Sequence, residues 1–256
     1  MNIVELHKRI DYHLDRARSP RYSKDRKDAA INIATDIFVR DRYDNVKRKT
    51  GYGFQTVQKL RDDLGSLVKS SLLVPANNII TRPDNYRHEV MVRVKINGKW
   101  DGSSPTSYDA FNTNQKNRFH KAEIGYVQHL ELGGSNVEFY FGSYGNFQEV
   151  EYFYLSNPIQ VSFGTTAITS GSLVVGNTYY VESGSITHNA IVVNAGSTFV
   201  AVGTTYTGTG VVYLIVNSEL PAHTHEELAK MAASDLAGTT SDRNRKIIQE
   251  ADVQKA

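Results

Sequence analysis

The apolar positions of this chain follow two different periods. Ile3, Leu6, Ile10, Leu14 and Ala17 recur every three or four residues with charged groups between them, the spacing of one helical face. Ser19-Pro20 ends that helix, and Ser23 is a suitable N-cap for a second. The second carries Ala30, Ile33, Ala34, Ile37 and Phe38 on one stripe and can run on to Lys49. Gly51 and Gly53 punctuate. A third helix is expected from about Phe54, with Phe54, Val57, Leu60 and Leu64 on one face. Residues 1–70 therefore read as a helical unit.

The period then drops to two. Val90, Val92, Val94 and Ile96 alternate with Met91, Arg93 and Lys95, a half-buried strand running into the hairpin signal Asn97-Gly98. Thr106 or Ser107 can cap a short helix through Tyr108 and Phe111. Further strands are expected at 124–132, 137–141 and 147–155, with Gly133-Gly134 and 142–146 as turns. Residues 71–165 thus read as an antiparallel β region, ordered as a meander.

Charge then disappears. From Thr166 to Asn217 there is no Lys or Arg and one acid, Glu182, while Thr, Ser, Gly and Val fill 31 of the 52 positions. Short β-rich runs at 173–175, 178–182, 190–193, 198–201 and 211–216 alternate with Gly- and Ser-rich turns. Ten valines and four tyrosines are too many for a solvated linker, so a small β module inserted at 166–217 is expected. In Ser218–Gly238, Pro221 marks a helix start. Thr224 with Glu227 offers a cap, and Leu228, Met231, Ala232 and Leu236 form the stripe. Residues 218–256 read as a helix and an extended tail returning to the core domain. The fold class is α+β.

Composition narrows the function. The formal charge is +2, but residues 1–70 hold sixteen basic and ten acidic groups. The basic runs 16–27 and 47–49 are interleaved with acids, which favours a solvated helix surface over a phosphate footprint. The absence of cysteine removes disulfides, thiolate metal sites and cysteine nucleophiles. No apolar run approaches the roughly 18 residues of a membrane helix. The N-terminus reaches charge by Glu5 without an apolar core of the secretory type, so production in a cytoplasm is expected.

No catalytic constellation is legible. His223, His225, Glu226 and Glu227 are the sharpest metal candidates, but no third ligand of known geometry is signalled. Their simpler role is at a helix start, with the two glutamates matched to its dipole. His7 and His13 are six apart and are expected at the surface. Asp101, Asp109, Glu123 and Glu131 are not paired by spacing as acid and base. Trp100 and the aromatic group Tyr140, Tyr144, Tyr152 and Tyr154 with Phe139, Phe141, Phe147 and Phe153 suit a core, a protein interface or a sugar-binding face. No catalytic, cofactor-binding or metal-binding residue is assigned.

Three features in order resemble a family: the helical unit leading into Arg82-Pro83-Asp84-Asn85-Tyr86, the turn Asn97-Gly98-Lys99-Trp100, and the charge-poor insertion returning into Ser218–Leu228. This layout resembles virion structural proteins of tailed bacteriophages, and more narrowly the neck and tail ring proteins, related to head–tail adaptors, of crAss-like short-tailed phages. The resemblance implies a non-enzymatic protein without cofactors. It implies a homo-oligomeric ring in the virion, beneath the portal and beside other ring and tail proteins. DNA would pass through the lumen without sequence-specific binding, and residues 241–256 would reach a neighbouring ring. It implies assembly in the bacterial host cytoplasm and no membrane partner. The alternative is a tail-associated receptor- or glycan-binding module.

Overall fold

The computed structural model describes residues 2–16, 22–50, 58–117, 121–123, 125–142, 147–169 and 173–238, with side chains described for all of these but 16 and 44–50. The chain enters through α1 (Ile3–Arg16), α2 (Lys24–Thr50) and α3 (Gln58–Leu64). Seven strands follow: β1 (Val68–Leu73), β2 (Ile79–Thr81), β3 (Tyr86–Ile96), β4 (Lys99–Thr106), β5 (Val127–Glu131), β6 (Asn136–Tyr140) and β7 (Phe147–Ser156). Helix α4 (Tyr108–Lys116) lies between β4 and β5. Next come β8 (Ser162–Phe163), β9 (Thr178–Ser183), β10 (Ser185–His188) and β11 (Ile191–Asn194). They are followed by β12 (Thr198–Val200), β13 (Thr207–Gly208) and β14 (Val211–Val216). The last helix, α5, spans 225–238. The architecture is α+β, as the periodicities imply.

The chain forms two compact units, one of Val46–Asn157 and one of Met1–Asn45 with Pro158–Ala256. These units divide the chain at other places than its composition does: α1 and most of α2 belong with the later β strands and α5, while α3 belongs with the large sheet. The unit containing the charge-free stretch resumes at Pro158, before the change in composition at Thr166. The expected helix start at Phe54 and Val57 and the tail 241–256 lie outside the described residues.

In the unit 46–157 the strands run in the order β1-β7-β3-β4-β5-β6-β2, which is not a meander. The β4–β5 pair is parallel. Parallel neighbours need a crossover, and α4 supplies it. Its N-cap is Ser107, whose Oγ accepts from the Ala110 amide at 3.2 Å. One face of the sheet buries Val92, Val94, Ile96, Val127, Val137, Phe139, Val150 and Tyr152. Arg93 and Lys95 take the other face, as period two requires. Asn97 and Gly98 both have positive φ, at 51° and 79°, the turn that joins β3 to β4.

In the other unit, the order β12-β9-β14-β8 makes one sheet and β11-β10-β13 a second. Their shared core is Leu173, Tyr179, Val181, Ile186, Ala201, Tyr206 and Val212. The expected strand at 173–175 is a turn segment instead, tied by Leu173 N–H to Thr204 O at 2.7 Å. Helix α1 begins with a capping box: Asn2 Oδ1 accepts from the Glu5 amide at 2.9 Å, and Glu5 Oε2 accepts from the Asn2 amide at 3.1 Å. Buried Ile3, Leu6, Ile10 and Leu14 on α1 share the helical core with Ala30, Ile31, Ala34, Phe38 and Val39 on α2. Leu228, Ala229, Ala232 and Leu236 add the α5 contribution. Helix α2 is stitched to the chain leading into β8. Asn32 donates from Nδ2 to Val161 O at 3.1 Å and accepts from Val161 N–H at 2.8 Å.

The β10–β11 turn holds Asn189 and Ala190 at φ 49° and 63°. An alanine in this left-handed region costs roughly 1 kcal/mol that glycine avoids. Ala190→Gly is therefore expected to raise the unfolding free energy by about 0.5–1 kcal/mol. Gly208→Ala, where φ is 124° and a Cβ would collide with the Ser185 carbonyl, is expected to lower it by at least as much. Chemical denaturation of the two variants beside the parent chain checks both signs.

Candidate functional site

The densest polar chemistry lies on the buried face of the seven-stranded sheet. A register shift between Glu89 and Met91 opposite β7 leaves Val90 as an extra residue in β3. Without it, alternation back from Ile96 would send Glu89 outward. With it, Glu89 turns to the side of Val92 and Tyr154. There its Oε2 accepts from His129 Nε2 at 3.0 Å and from the Tyr152 hydroxyl at 3.1 Å. His129 Nδ1 lies 2.8 Å from Ser103 Oγ. A carboxylate only accepts, so Nε2 carries the imidazole proton, and Ser103 donates to Nδ1. Burial and the adjacent Glu89 carboxylate push the Tyr152 phenol well above its ordinary value, so it remains a donor.

Serine, histidine and glutamate in hydrogen-bonded sequence resemble a nucleophile, base and orienting acid. The surroundings favour a positioning role. His129 is fully buried. Ser103 lies in mid-strand, paired with β3 on one side and β5 on the other. The chain of bonds joins β3, β4, β5 and β7 through the interior. Spacing could not show it, because the three residues are far apart in sequence and Glu89 reaches the interior only through the bulge.

The opposite face of that sheet has a different composition. Arg93 donates to Glu151 on β7, and Lys95 Nζ lies 3.0 Å from Glu149. The Arg93 guanidinium lies 5.6 Å from both the Trp100 and the Phe153 ring centres, and Lys95 lies 5.8 Å from Trp100. Trp100 is 40% exposed. At the sheet edge, Leu72 on β1 and Val74 just beyond it are 62% and 79% exposed. Trp and Arg on one sheet face, with exposed apolar side chains at the edge of the same sheet, are the composition of a protein interface.

In the unit 1–45 with 158–256, several expected surface groups are used internally. His7 is buried, contrary to expectation, with Nε2 2.7 Å from Asp28 Oδ1. His13 contacts Glu226 at 3.1 Å. Within the basic run 16–27, Lys27 is buried and bonds Asp11 at 2.7 Å. Lys24 bonds Glu182 at 2.6 Å and sits 4.0 Å from the Phe163 ring centre. The solvated-surface expectation thus fails for Lys27, and these two cations are already committed within the unit. Residues 47–49 and the run 17–21 lie outside the described side chains.

The metal candidates separate. His225 is buried with Nε2 donating to Leu220 O at 2.9 Å, while His223 is exposed. Glu226 serves His13, and Glu227 pairs with Arg42 at 2.5 Å. Thr224, expected as a side-chain cap, instead donates to Pro221 O at 2.8 Å. Among the described residues, no group of three or more His, Asp or Glu is arranged to hold a metal. Asp101, Asp109, Glu123 and Glu131 stand on four different elements, and Glu131 is paired with Arg82 at 3.2 Å. No helix among the described residues is long and apolar enough to cross a membrane. No known protein family matches the chain, and no curated protein matches it significantly.

A serine-directed fluorophosphonate is expected to leave Ser103 unlabelled, and labelling seen by mass spectrometry would make it a nucleophile instead. His129→Leu, which removes one of the donors to Glu89, is expected to cost about 1–3 kcal/mol in denaturant unfolding. Burial holds His225 below its ordinary value of 6.5, against the opposing bond to Leu220. Below that value the unfolded chain takes up a proton that the folded chain resists. The stability from neutral His225 is therefore complete above 6.5 and is lost as pH falls from there through the folded value. His225→Gln is expected to flatten this dependence, by up to about 1.4 kcal/mol per pH unit within the window, in unfolding curves measured beside the parent.

Proposed function

We propose that this protein is a non-enzymatic virion assembly protein of a tailed bacteriophage. It forms a homo-oligomeric ring in the neck or tail below the portal, around the channel through which DNA leaves. The observation that carries the reading is the outer face of the seven-stranded sheet, where Arg93 lies against Trp100 and Phe153 and Leu72 is exposed at the β1 edge, a composition suited to another protein. The order of parts along the chain, from charged helices to a sheet and an uncharged β module, agrees with it. The internal commitment of Lys24 and Lys27 fits a lumen that passes DNA without gripping it. The glycan-binding alternative has less support at Trp100, because Arg93 and Lys95 already approach its ring.

Negative-stain electron microscopy of the full chain, alone and mixed with the portal protein of the same phage, tests this. Rings, or an added layer on the portal, are the expected result, and monomers in both samples would overturn it. Trp100→Ala with Arg93→Ala is expected to weaken assembly roughly 30-fold, the size of one interface hot spot.

A further inference from the structure

His188 is the one imidazole in the uncharged module, and its place in the fold fixes which nitrogen carries the proton. It ends β10 just before the tight turn at Asn189-Ala190 and is 4% exposed. Its Nδ1 lies 2.9 Å from Thr205 O, and a carbonyl only accepts, so Nδ1 bears the hydrogen. Nε2 is left with a lone pair. Two backbone amides use it: Val202 N–H donates at 3.1 Å and Gly203 N–H at 3.4 Å. The Phe199 ring packs on the imidazole with its centre 5.3 Å away.

These three bonds hold a stretch that no strand pairing holds. Residues 201–206 cross from β12 in one sheet to β13 in the other. Ala201 and Tyr206 anchor the two ends in the module core, while Val202, Thr204 and Thr205 are exposed between them. The stretch in turn supports the segment 173–176. Leu173 N–H donates to Thr204 O and Gly176 N–H to Ala201 O, each at 2.7 Å. One neutral ring thus keeps this end of the module closed over the buried Leu173.

A proton at Nε2 removes the arrangement. Imidazole is the side chain that gains a proton between about pH 8 and pH 5. The proton and the two amides compete for one lone pair, and an Nε2–H would point at two other N–H groups. The module has no acid free to compensate. Glu182, the single acid from Thr166 to Asn217, is bonded to Lys24. The phenols in the same core are engaged as well, Tyr179 by Val174 N–H and Tyr206 by Ile168 O. A buried cation without an acceptor is costly, and the stretch 202–205 has the fewest other ties, so it gives way and lets the ring reach water.

We propose that Val202–Thr205 is a pH-operated latch, closed by neutral His188 and released when Nε2 is protonated. The closed form is complete above the titration of His188 and is lost as pH falls through it. Release frees the segment 173–176 and uncovers Leu173 and Phe199 next to Val174, Val175 and Val202, which are already exposed. The acid form of the module therefore presents the larger apolar surface. The latch lies within one unit and does not depend on the ring reading.

Hydrogen–deuterium exchange of the full chain between about pH 7.5 and about pH 5, with the intrinsic pH dependence of exchange divided out, tests it. Protection of 202–205 is expected to fall toward acid, by up to roughly tenfold per pH unit, while β9 and β14 keep theirs. Unchanged protection at 202–205, or an equal loss in β9 and β14, would overturn the proposal. His188→Gln offers a donor and an acceptor but does not titrate, so protection of 202–205 in that variant is expected to be flat with pH. A parent-like response in the variant would count against the latch. Nitrogen NMR of the parent ring decides the matter even where the variant does not fold. His188 is expected to pass from the Nδ1–H tautomer to imidazolium with the same midpoint as the loss of protection, and separate midpoints would sink the idea.

Discussion

The Asp28 carboxylate ties three elements of its unit together. Its Oδ1 accepts from His7 on α1 and its Oδ2 from the Phe163 amide of β8 at 2.8 Å, while its own backbone belongs to α2. Asp28 and His7 are 8% and 7% exposed. A carboxylate so far removed from water must have its oxygens satisfied, and losing a partner of a buried polar group costs about 1–3 kcal/mol, more for a charged one. This requirement fixes more than energy. It places α1 against α2 and both against the strand that opens the small sheet, so the helical and β parts of this unit form one body. The His7 ring also stacks on Phe163, and Phe163 in turn meets Tyr180 and Tyr213 of the sheet.

The large sheet is organised by two local irregularities. One is the extra residue Val90, which turns Glu89 inward to His129 and Tyr152. The other is the α4 crossover, which makes β5 parallel to β4 and brings His129 near Ser103 across that pair. Together they satisfy four side chains drawn from four strands, and the resulting network specifies register as well as adding stability.

Much of the fold was legible where one period ran undisturbed. The α1 stripe, the alternation Val92, Val94, Ile96, the Asn97-Gly98 turn and the Ser107 cap all lie where spacing puts them. The strand order was not legible, although a helix capped by Ser107 between two strands is itself the signature of a crossover and hence of a parallel pair. Composition and packing divide the chain at different places. The uncharged segment starts at Thr166, but Asn32 and Asp28 already hold Val161 and Phe163. The polar network around His129 had no signal in spacing, since a bulge is a matter of register between strands. The Asn2–Glu5 capping box is legible in the sequence as Asn followed three residues later by Glu.

Glu182 shows how charge segregation and folding meet in one residue. It is the only ionised side chain in the 52-residue segment, and it is bonded to Lys24 at the start of α2. Lys24 lowers the pKa of Glu182 chiefly through that hydrogen bond, so the pair strengthens as the carboxylate ionises. Both side chains are more than one third exposed, so the pair adds little net stability. Its effect is on orientation: a cation held over Phe163 and Tyr213 and bonded to β9 gives the helix one preferred seat on an otherwise uncharged sheet.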